Sequence, residues 1–315
     1  MTIAVVAQGY GGPEQLALVE VDDVEPGPGQ VRVEVRAAGV NPFDAKRYSG
    51  AFGRDPGALP MRLGAEVAGV VTAVGPDAVG PVGPVSVGDE VIGYRVDGAY
   101  ASALTVPASS LVPKPAGVSF AEAAGVMLAG ATAVHALTVV SAAEGDTVLV
   151  HAASGGVGLL LVQLARLRGA RVIGTAGQGR HELLRSLGAE PVVYGPGLAD
   201  RVRELAPEGV DAAIDAAGTD EAVDTSLELV ADRSRITTIA AFARAGAAGI
   251  KALGAGPGAD PGTEVRDAAR PELARLLGTG ELQVLVAAEL PLAEVARAHE
   301  LILEGHTTGK IVLVP

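Results

Sequence analysis

The segment Asp146–Thr175 constrains the fold more than any other part of the sequence. An apolar strand, Thr147–Val150, leads into a glycine-rich turn, which is followed by an amphipathic helix, Leu159–Leu167, and a β-branched strand, Arg171–Thr175. That order and length are typical of one βαβ unit of a parallel sheet. Glycines let the backbone approach a pyrophosphate, whose charge then lies against the free N–H groups of the helix N-terminus. The turn therefore predicts a dinucleotide site formed by Ser154, Gly155, Gly156, Val157 and Gly158.

The spacing of the turn matches only part of the G-x-G-x-x-G pattern. Gly155 and Gly158 fill its second and third places, and Ala153 stands in the first. The context strengthens the match, because the turn follows a strand and opens a helix. The alternative is a tight strand-to-helix turn that binds nothing.

The end of the second strand predicts which dinucleotide is bound. Units that bind NAD usually carry an acidic residue there, about 20 residues past the first glycine. Here the strand ends at Thr175, the first acid is Glu182, and Arg180 precedes it at the start of a helix. These residues favour NADP(H) over NAD(H), unless Arg180 is only a solvated charge.

Length and composition limit the class of protein. A chain of 315 residues is long enough for about two domains. A hydrophobic content of 49% with 19% charged residues indicates a globular chain. A net charge of −13 argues against a nucleic-acid or membrane surface as partner, because phosphate groups need a basic face. The partner is expected to be a small molecule.

The absence of cysteine excludes disulfides, thiol catalysis and a thiolate-bound structural zinc. The N-terminal residues have no basic segment before an apolar run, so we expect a cytoplasmic protein. Val126–Ala143 is uncharged over 18 residues, which is close to the length of a membrane span. Polar residues interrupt it, and a buried helix is the preferred interpretation.

The organisation of the chain predicts an α/β fold of two domains. Residues 1–120 and 260–315 are expected to form a β-rich domain, in which Val31–Arg36 alternates apolar and charged residues as a half-buried strand does. Residues 121–259 alternate helix and strand, which predicts a doubly wound parallel sheet of the Rossmann type inserted in the first domain. The Gly/Pro-rich segment Gly254–Gly262 is interpreted as the second linker.

The chain resembles the medium-chain dehydrogenase/reductase superfamily, in its zinc-free quinone oxidoreductase branch, which is similar to zeta-crystallin. The resemblance extends nearly end to end, and its short motifs occur in the same order and spacing. These motifs are GVNPFDAKRYSGAF (39–52), LGAEVAGVV (63–71), VGDEVIGY (87–94), HAASGGVG (151–158) and GHTTGKIVLV (305–314). The resemblance implies a GroES-like fold for the β-rich domain. It also implies NADPH-dependent reduction of quinones or α,β-unsaturated carbonyls, usually by homodimers.

The same resemblance indicates that no metal takes part. Zinc-dependent relatives carry a Cys near Asn41 and a His-Glu pair where this chain has Ala65-Glu66. Without a Lewis acid to lower the pKa of an alcohol, alcohol oxidation is disfavoured. Reduction of an activated double bond or a quinone is the remaining chemistry.

Three of the chain's aromatic residues, Phe43, Tyr48 and Phe52, fall within ten positions. We expect these three side chains to line an apolar pocket for a planar acceptor, unless they only form a local hydrophobic cluster. Lys46 completes an N-P-x-D-x-K pattern that is closest to enone and alkenal reductases. Lys46, Tyr48 or a nicotinamide-ribose hydroxyl oriented by Lys46 is predicted to donate a hydrogen bond to the acceptor's carbonyl oxygen. Solvent or Tyr48 is predicted to supply the proton to the α-carbon.

Further cofactor contacts are implied by the resemblance alone. Asn41 and Thr132 are expected near the nicotinamide, and Thr175, Arg180 and Tyr194 around the adenosine phosphate. The strand ends that border the nicotinamide ring are expected to contribute Ala217, Ile239 and Phe242, with Phe242 also lining the acceptor pocket. A homodimer would form by edge pairing of Ala247–Leu253.

The leading interpretation is an NADPH-dependent enone or alkenal reductase, with quinone reductase as the alternative. Reduction of an enoyl thioester is a third option, although the sequence lacks the basic cluster that a phosphate-bearing carrier would need. A protein that binds NADPH without turnover, in a regulatory or structural role, would share the glycine turn but would not need Lys46.

Overall fold

The computed structural model describes residues 1–256 and 258–315, and these fold into two compact units. One unit comprises 1–128 and 270–315 and is rich in β-structure; the other comprises 129–269 and contains a parallel sheet. The predicted boundaries, at 120 and 259, lie eight to ten residues earlier than these divisions. The first division is later because the backbone N–H of Leu128 donates to Glu66 Oε2 at 2.8 Å, which ties this stretch to the β-rich unit.

The elements follow one another in chain order. The strands are β1 (Thr2–Ala7), β2 (Leu16–Val21), β3 (Gln30–Val40), β4 (Met61–Arg62), β5 (Glu66–Val74), β6 (Val79–Gly80), β7 (Gly83–Pro84), β8 (Glu90–Tyr94), β9 (Ala103–Pro107), β10 (Leu111–Pro113), β11 (Thr147–His151), β12 (Arg171–Thr175), β13 (Glu190–Val192), β14 (Ala212–Asp215), β15 (Ile236–Thr238), β16 (Lys251–Ala252), β17 (Val286–Pro291) and β18 (Lys310–Val314). The helices are α1 (Pro42–Ser49), α2 (Phe120–Ala124), α3 (Met127–Val139), α4 (Gly156–Leu167), α5 (His181–Ser186), α6 (Leu198–Leu205), α7 (Asp220–Leu229), α8 (Phe242–Ala248), α9 (Thr263–Thr279) and α10 (Val295–Glu304).

The parallel-sheet unit has the architecture predicted from the alternation of helix and strand. Its six strands are all parallel and lie in the order β13-β12-β11-β14-β15-β16. Numbered along the unit, this is the order 3-2-1-4-5-6 of dinucleotide-binding folds. Apolar residues of the strands pack against the helices, with Leu149, Ile173 and Val202 fully buried. The strand order reverses between β11 and β14, and ligands bind such sheets at that point.

The β-rich unit is built on a seven-stranded sheet in the order β10-β8-β5-β3-β18-β17, with β9 also paired to β3. The alternation in β3 is as predicted, since Val31, Val33 and Val35 are buried and lie in the core. The last strand, β18, pairs antiparallel with β3, so the C-terminal segment returns to the first domain. The fold class predicted from the sequence, a Rossmann-type sheet with a GroES-like domain, is therefore confirmed.

The uncharged segment Val126–Ala143 contains helix α3 and is mostly buried, with Thr138, Ser141 and Ala143 exposed towards its end. Ala131, Ala133 and Leu137 are 0% exposed. In the described part of the chain, no helix has both the length and the apolar character needed to cross a membrane.

The Gly/Pro-rich segment 254–262 was interpreted as a linker, and its residue Pro257 lies outside the described residues. On either side of that residue the segment belongs to the parallel-sheet unit, because the N–H of Gly254 donates to the carbonyl of Asp260 at 2.9 Å. The division falls later, inside α9, between Ala269 and Arg270. Asp260 also donates its N–H to the carbonyl of Ala252 at 2.8 Å. Part of the outer edge of β16, where a second copy was expected to pair, is thus covered by the chain itself.

Candidate active site

The glycine-rich turn after β11 leaves the start of α4 open. Gly155 is the N-cap residue in an extended conformation, and no side chain caps the helix. No acidic residue stands in the first turn of the helix. The first N–H groups of an α-helix have no acceptor within the helix, and together with the helix dipole they favour an anion. The start of α4, which is 12 residues long, therefore suits a phosphate group.

Two glycines of the turn differ in their surroundings. A Cβ on Gly158 would lie 2.2 Å from the carbonyl oxygen of Ala152 and 2.7 Å from backbone carbon atoms of Ala153. A Cβ on Gly155 would meet only the oxygen of Ala152, at 3.4 Å. Gly158 thus permits close packing of helix on strand, whereas Gly155 leaves open space in front of the helix. These features fit the pyrophosphate of a dinucleotide.

The predicted contacts of the adenosine phosphate are only partly supported. Thr175 is 2% exposed, and its hydroxyl accepts the N–H of Ala152 at 3.0 Å. It therefore supports the turn from within the core, which argues against its predicted place at the phosphate. Arg180 is exposed and forms no ion pair with any described residue. Tyr194 is 58% exposed, and its hydroxyl lies 3.9 Å from where a Cβ of Gly177 would be. Arg180 and Tyr194 therefore remain candidates beside the end of β12.

A buried carboxylate shapes the next strand end. Asp215 is 0% exposed, and its Oδ1 accepts the backbone N–H groups of Ala217 at 2.8 Å and Gly218 at 2.9 Å. Its Oδ2 accepts the hydroxyl of Thr238 at 2.7 Å, and its carbonyl accepts the N–H of Ile239 at 2.9 Å. Asp215 thus joins the two strand ends predicted to border the nicotinamide. Sequence reasoning missed it, although an acid that ends an apolar strand is a signal.

The other cofactor candidates in this unit, Thr132 and Phe242, occupy separate elements. Thr132 lies on α3 and is 6% exposed. Phe242 opens α8 and is half-buried, and its ring lies 2.8 Å from where a Cβ of Gly256 would be. Both roles stay predictions.

In the β-rich unit, α1 and the loop after it bring the predicted acceptor residues together. The rings of Phe43 and Phe52 are 5.9 Å apart between centroids, tilted by 39°, and both are half-buried. Lys46, one turn after Phe43, is also half-buried, and this burial lowers the pKa of its ammonium group. An apolar aromatic surface beside a partly desolvated cation suits a planar acceptor that develops negative charge.

The prediction that Tyr48 donates a proton to the acceptor needs correction. Tyr48 is 1% exposed, and its hydroxyl lies 2.9 Å from Nδ1 of His299. Burial raises the pKa of Tyr48. A hydroxyl enclosed in the core and already hydrogen-bonded is unsuited to reach an acceptor, so Tyr48 has an internal role.

Asn41, which was expected at the nicotinamide, lies in a buried ionic cluster. Its Nδ2 donates to Glu66 Oε1 at 2.9 Å and to the carbonyl of Gly39 at 3.2 Å, and its Oδ1 accepts from Lys310. The Lys310 ammonium also lies 3.0 Å from Glu66 Oε1. Asn41 is 2% exposed with its amide engaged, which argues against a direct contact with a cofactor. Lys310 thus neutralises Glu66 within this unit.

The described residues contain no group of three or more His, Cys, Asp or Glu side chains arranged to hold a metal ion. Burial lowers the pKa of His151, which lies 3.1 Å from the hydroxyl of Ser226, to about 4. His151 is therefore a core residue whose ring is hydrogen-bonded within the parallel-sheet unit.

Two known protein families match this chain, one within each of the two units. Residues 27–116 match the family described as alcohol dehydrogenase GroES-like domain, and residues 156–255 match the family described as zinc-binding dehydrogenase. A quinone oxidoreductase of Pseudomonas aeruginosa is 35% identical over 325 residues, covering 97% of each protein. A phthioceranic/hydroxyphthioceranic acid synthase of Mycobacterium tuberculosis is 37% identical over 96% of this chain, which spans only 15% of the synthase.

Solved structures of similar proteins extend over the same length. The quinone oxidoreductase of Escherichia coli, complexed with NADPH, is 29% identical with a TM-score of 0.86, and both chains are fully covered. A mycobacterial protein, also complexed with NADPH, is 34% identical with a TM-score of 0.86 over 99% of this chain and 100% of that one. A protein described as an NAD-dependent alcohol dehydrogenase is 32% identical with a TM-score of 0.85 over 99% of each chain.

Proposed function

This chain belongs to the quinone oxidoreductase branch of the medium-chain dehydrogenase/reductase superfamily, and from that membership we propose that it is an NADPH-dependent, zinc-independent reductase of α,β-unsaturated ketones or aldehydes. The observation that carries the choice of acceptor is the pairing of Phe43 and Phe52 beside a half-buried Lys46. Quinones share the planar shape and the carbonyl oxygen, so quinone reduction is the alternative.

The parallel-sheet unit supplies the coenzyme site in this proposal. The open start of α4 holds the pyrophosphate, with Gly155 allowing close approach. Arg180 follows the end of β12, where a unit that binds NAD would carry an acid, and Tyr194 follows the end of the neighbouring strand β13. A bound NADPH would supply a hydride from C4 of its nicotinamide ring.

The β-rich unit supplies the acceptor site. Phe43 and Phe52 hold the planar acceptor by apolar contact. As the hydride reaches the β-carbon, negative charge builds on the carbonyl oxygen, and the ammonium of Lys46 stabilises it. Because burial lowers its pKa, the ammonium of Lys46 also gives up a proton more readily. Solvent is the simplest source of the proton that is added to the α-carbon.

The experiment that tests the proposal follows NADPH absorbance with four acceptors: an enone, an alkenal, a quinone and an enoyl thioester. The enoyl thioester is included because the sequence leaves it as a third option, and because the chain is similar to 15% of a phthioceranic/hydroxyphthioceranic acid synthase. Fastest turnover of the enone or alkenal supports the proposal, and fastest turnover of the quinone supports the alternative. Tight NADPH binding without any oxidation would instead favour a regulatory or structural NADPH-binding protein.

Lys46 can be tested separately with matched variants. Lys46→Met removes the charge and keeps the length of the side chain, and it should lower kcat/KM for the enone by about tenfold or more. Lys251→Met removes an exposed lysine of β16 and should leave kcat/KM unchanged. An unchanged kcat/KM in Lys46→Met would show that Lys46 does not stabilise the charge on the acceptor.

A homodimer is proposed on the resemblance alone. Since Asp260 covers the outer edge of β16 at Ala252 and Gly254, pairing with a second copy would be confined to the residues before Ala252. Light scattering after size-exclusion chromatography distinguishes a dimer from the 31.4 kDa monomer.

A further inference from the structure

Helix α1 has two faces with different surroundings. Phe43 and Lys46, three residues apart, are half-buried on the face assigned to the acceptor. Asp44 and Tyr48, four residues apart, are 0% and 1% exposed on the opposite side. A helix of only eight residues is not stable by itself, so its position depends on the contacts of its buried face.

The first contact joins Tyr48 to α10. The hydroxyl of Tyr48 lies 2.9 Å from Nδ1 of His299, a residue 251 positions later, and the two rings are 5.3 Å apart. His299 is 0% exposed, and burial lowers its pKa to about 4, so the ring is neutral. Its other nitrogen, Nε2, has no hydrogen-bond partner among the described residues. The bond to Tyr48 is therefore the polar contact that fixes the orientation of this ring.

The second contact joins Asp44 to the core. Its carboxylate accepts the hydroxyl of Tyr100 at 3.0 Å and the backbone N–H of Gly64 at 3.1 Å. The ring of Tyr100 packs edge-on against His299 at 5.8 Å. Asp44, Tyr48, Tyr100 and His299 thus form one buried cluster, which we call the α1 anchor.

We propose that the α1 anchor positions Phe43 and Lys46 for the acceptor, and that His299 is a positioning residue that does not touch the acceptor. The inference rests on the proposed function and deepens it. Removing one partner of a buried hydrogen bond leaves the other unsatisfied, which the structure relieves by moving. A displacement of about 1 Å in a reacting group can cost about 100-fold in rate.

The test compares variants that break the Tyr48–His299 bond from each side. Tyr48→Phe and His299→Leu should each lower kcat/KM for the enone about tenfold, mainly through a higher acceptor KM. His299→Asn, which keeps a polar atom near Nδ1, should retain more activity. The double variant Tyr48→Phe with His299→Leu should be no worse than either single one, because replacing both partners by apolar groups leaves nothing unpaired.

The matched control is Tyr94→Phe. Tyr94 is a buried tyrosine of the same unit, 4% exposed, and its hydroxyl has no hydrogen bond within the described ranges. Its loss should leave the acceptor KM unchanged. NADPH affinity, measured directly, should stay within about twofold of the wild type in every variant, since the turn at α4 belongs to the other unit.

A second readout does not require turnover. The chain has four lysines, so reductive methylation with a ¹³C label gives few resolvable NMR signals. In the wild type the pKa of the methylated Lys46 should lie below that of a methylated lysine in an unfolded peptide, because Lys46 is partly buried. Tyr48→Phe and His299→Leu should move the Lys46 titration toward that of an exposed lysine, and Tyr94→Phe should not.

The outcomes separate the two proposals. If kcat/KM and the Lys46 titration both stay at wild-type values in Tyr48→Phe and His299→Leu, the anchor does not position α1. If Tyr48→Phe lowers kcat at unchanged KM and removes one limb of the pH profile, Tyr48 is itself the proton donor and the inference is wrong. If the wild type does not oxidise NADPH with any of the four acceptors, the proposed function fails, while the Lys46 titration still decides the anchor.

Discussion

Replacing Gly155 with alanine separates coenzyme binding from folding at the glycine-rich turn. The native φ of −77° and ψ of 173° are open to any residue, and the new Cβ would meet only the oxygen of Ala152 at 3.4 Å. Such a change alters stability by less than about 1 kcal/mol and can even raise it, because alanine restricts the unfolded chain. The methyl group would nevertheless stand in the space left for the pyrophosphate. We expect NADPH affinity to fall about tenfold or more, equivalent to about 1.4 kcal/mol.

Gly158→Ala should give the opposite result. Its Cβ would lie 2.2 Å from the oxygen of Ala152 and 2.7 Å from backbone atoms of Ala153, and backbone cannot rotate away as a side chain can. The start of α4 would have to move from β11, at a cost of about 1–3 kcal/mol typical of overpacking. For a unit of this size that corresponds to a Tm lower by about 2–4 °C for each kcal/mol.

Two measurements on the same samples decide between these roles. Fluorescence titration gives the NADPH Kd, and thermal unfolding without coenzyme gives Tm. The expected pattern is a weakened Kd at unchanged Tm for Gly155→Ala and a lowered Tm for Gly158→Ala. Wild-type affinity in Gly155→Ala would mean that the pyrophosphate does not approach this turn, and an unchanged Tm in Gly158→Ala would refute the packing argument.

Further variants test charge and protonation. Arg180→Ala should weaken NADPH binding about tenfold while leaving NADH affinity unchanged, and equal losses for both coenzymes would remove Arg180 from the adenosine phosphate. Burial raises the pKa of Asp44 from 3.8 to about 6, with nearby Glu66 adding to the effect. A raised carboxyl pKa contributes stability that is fully present below pH 3.8 and is lost as the pH rises through 6. Relative to wild type, Asp44→Asn should therefore gain up to about 3 kcal/mol between pH 4 and pH 8. Urea unfolding across this range measures the difference, and a constant difference would contradict the shifted pKa.

The parallel-sheet unit could be predicted from the sequence because its signals are local. The glycine turn, the β-branched strands and the alternation with helices each span fewer than about 15 residues and act through neighbouring backbone. The predicted division at 259 lies ten residues before the division between the two compact units. Gly254–Gly262 has the composition of a linker, but Asp260 donates its N–H to the carbonyl of Ala252 and accepts the N–H of Gly254, which holds the segment within the parallel-sheet unit.

Helix geometry would have corrected the assignment of Tyr48. Phe43 and Tyr48 are five residues apart, which at about 100° per residue places them on different sides of a helix. Asp44 and Tyr48 are four apart and share one side. Counting aromatic residues within ten positions ignored this periodicity and grouped a buried tyrosine with two half-buried phenylalanines.

The ion pair between Glu66 and Lys310 could not be predicted from the sequence alone. Each charge is the first residue of an apolar strand, and a charge buried without a partner is costly, so each could be identified as needing an opposite charge. The two residues are 244 positions apart, and only the pairing of β18 with β3 and of β3 with β5 brings their strands into one sheet. The partner of a buried charge thus follows from sheet order, which local patterns do not encode. Once that order is known, Lys310 is the lysine whose strand lies near Glu66. Asn41 then belongs to the cluster of these two charges, and its amide is not available to a cofactor.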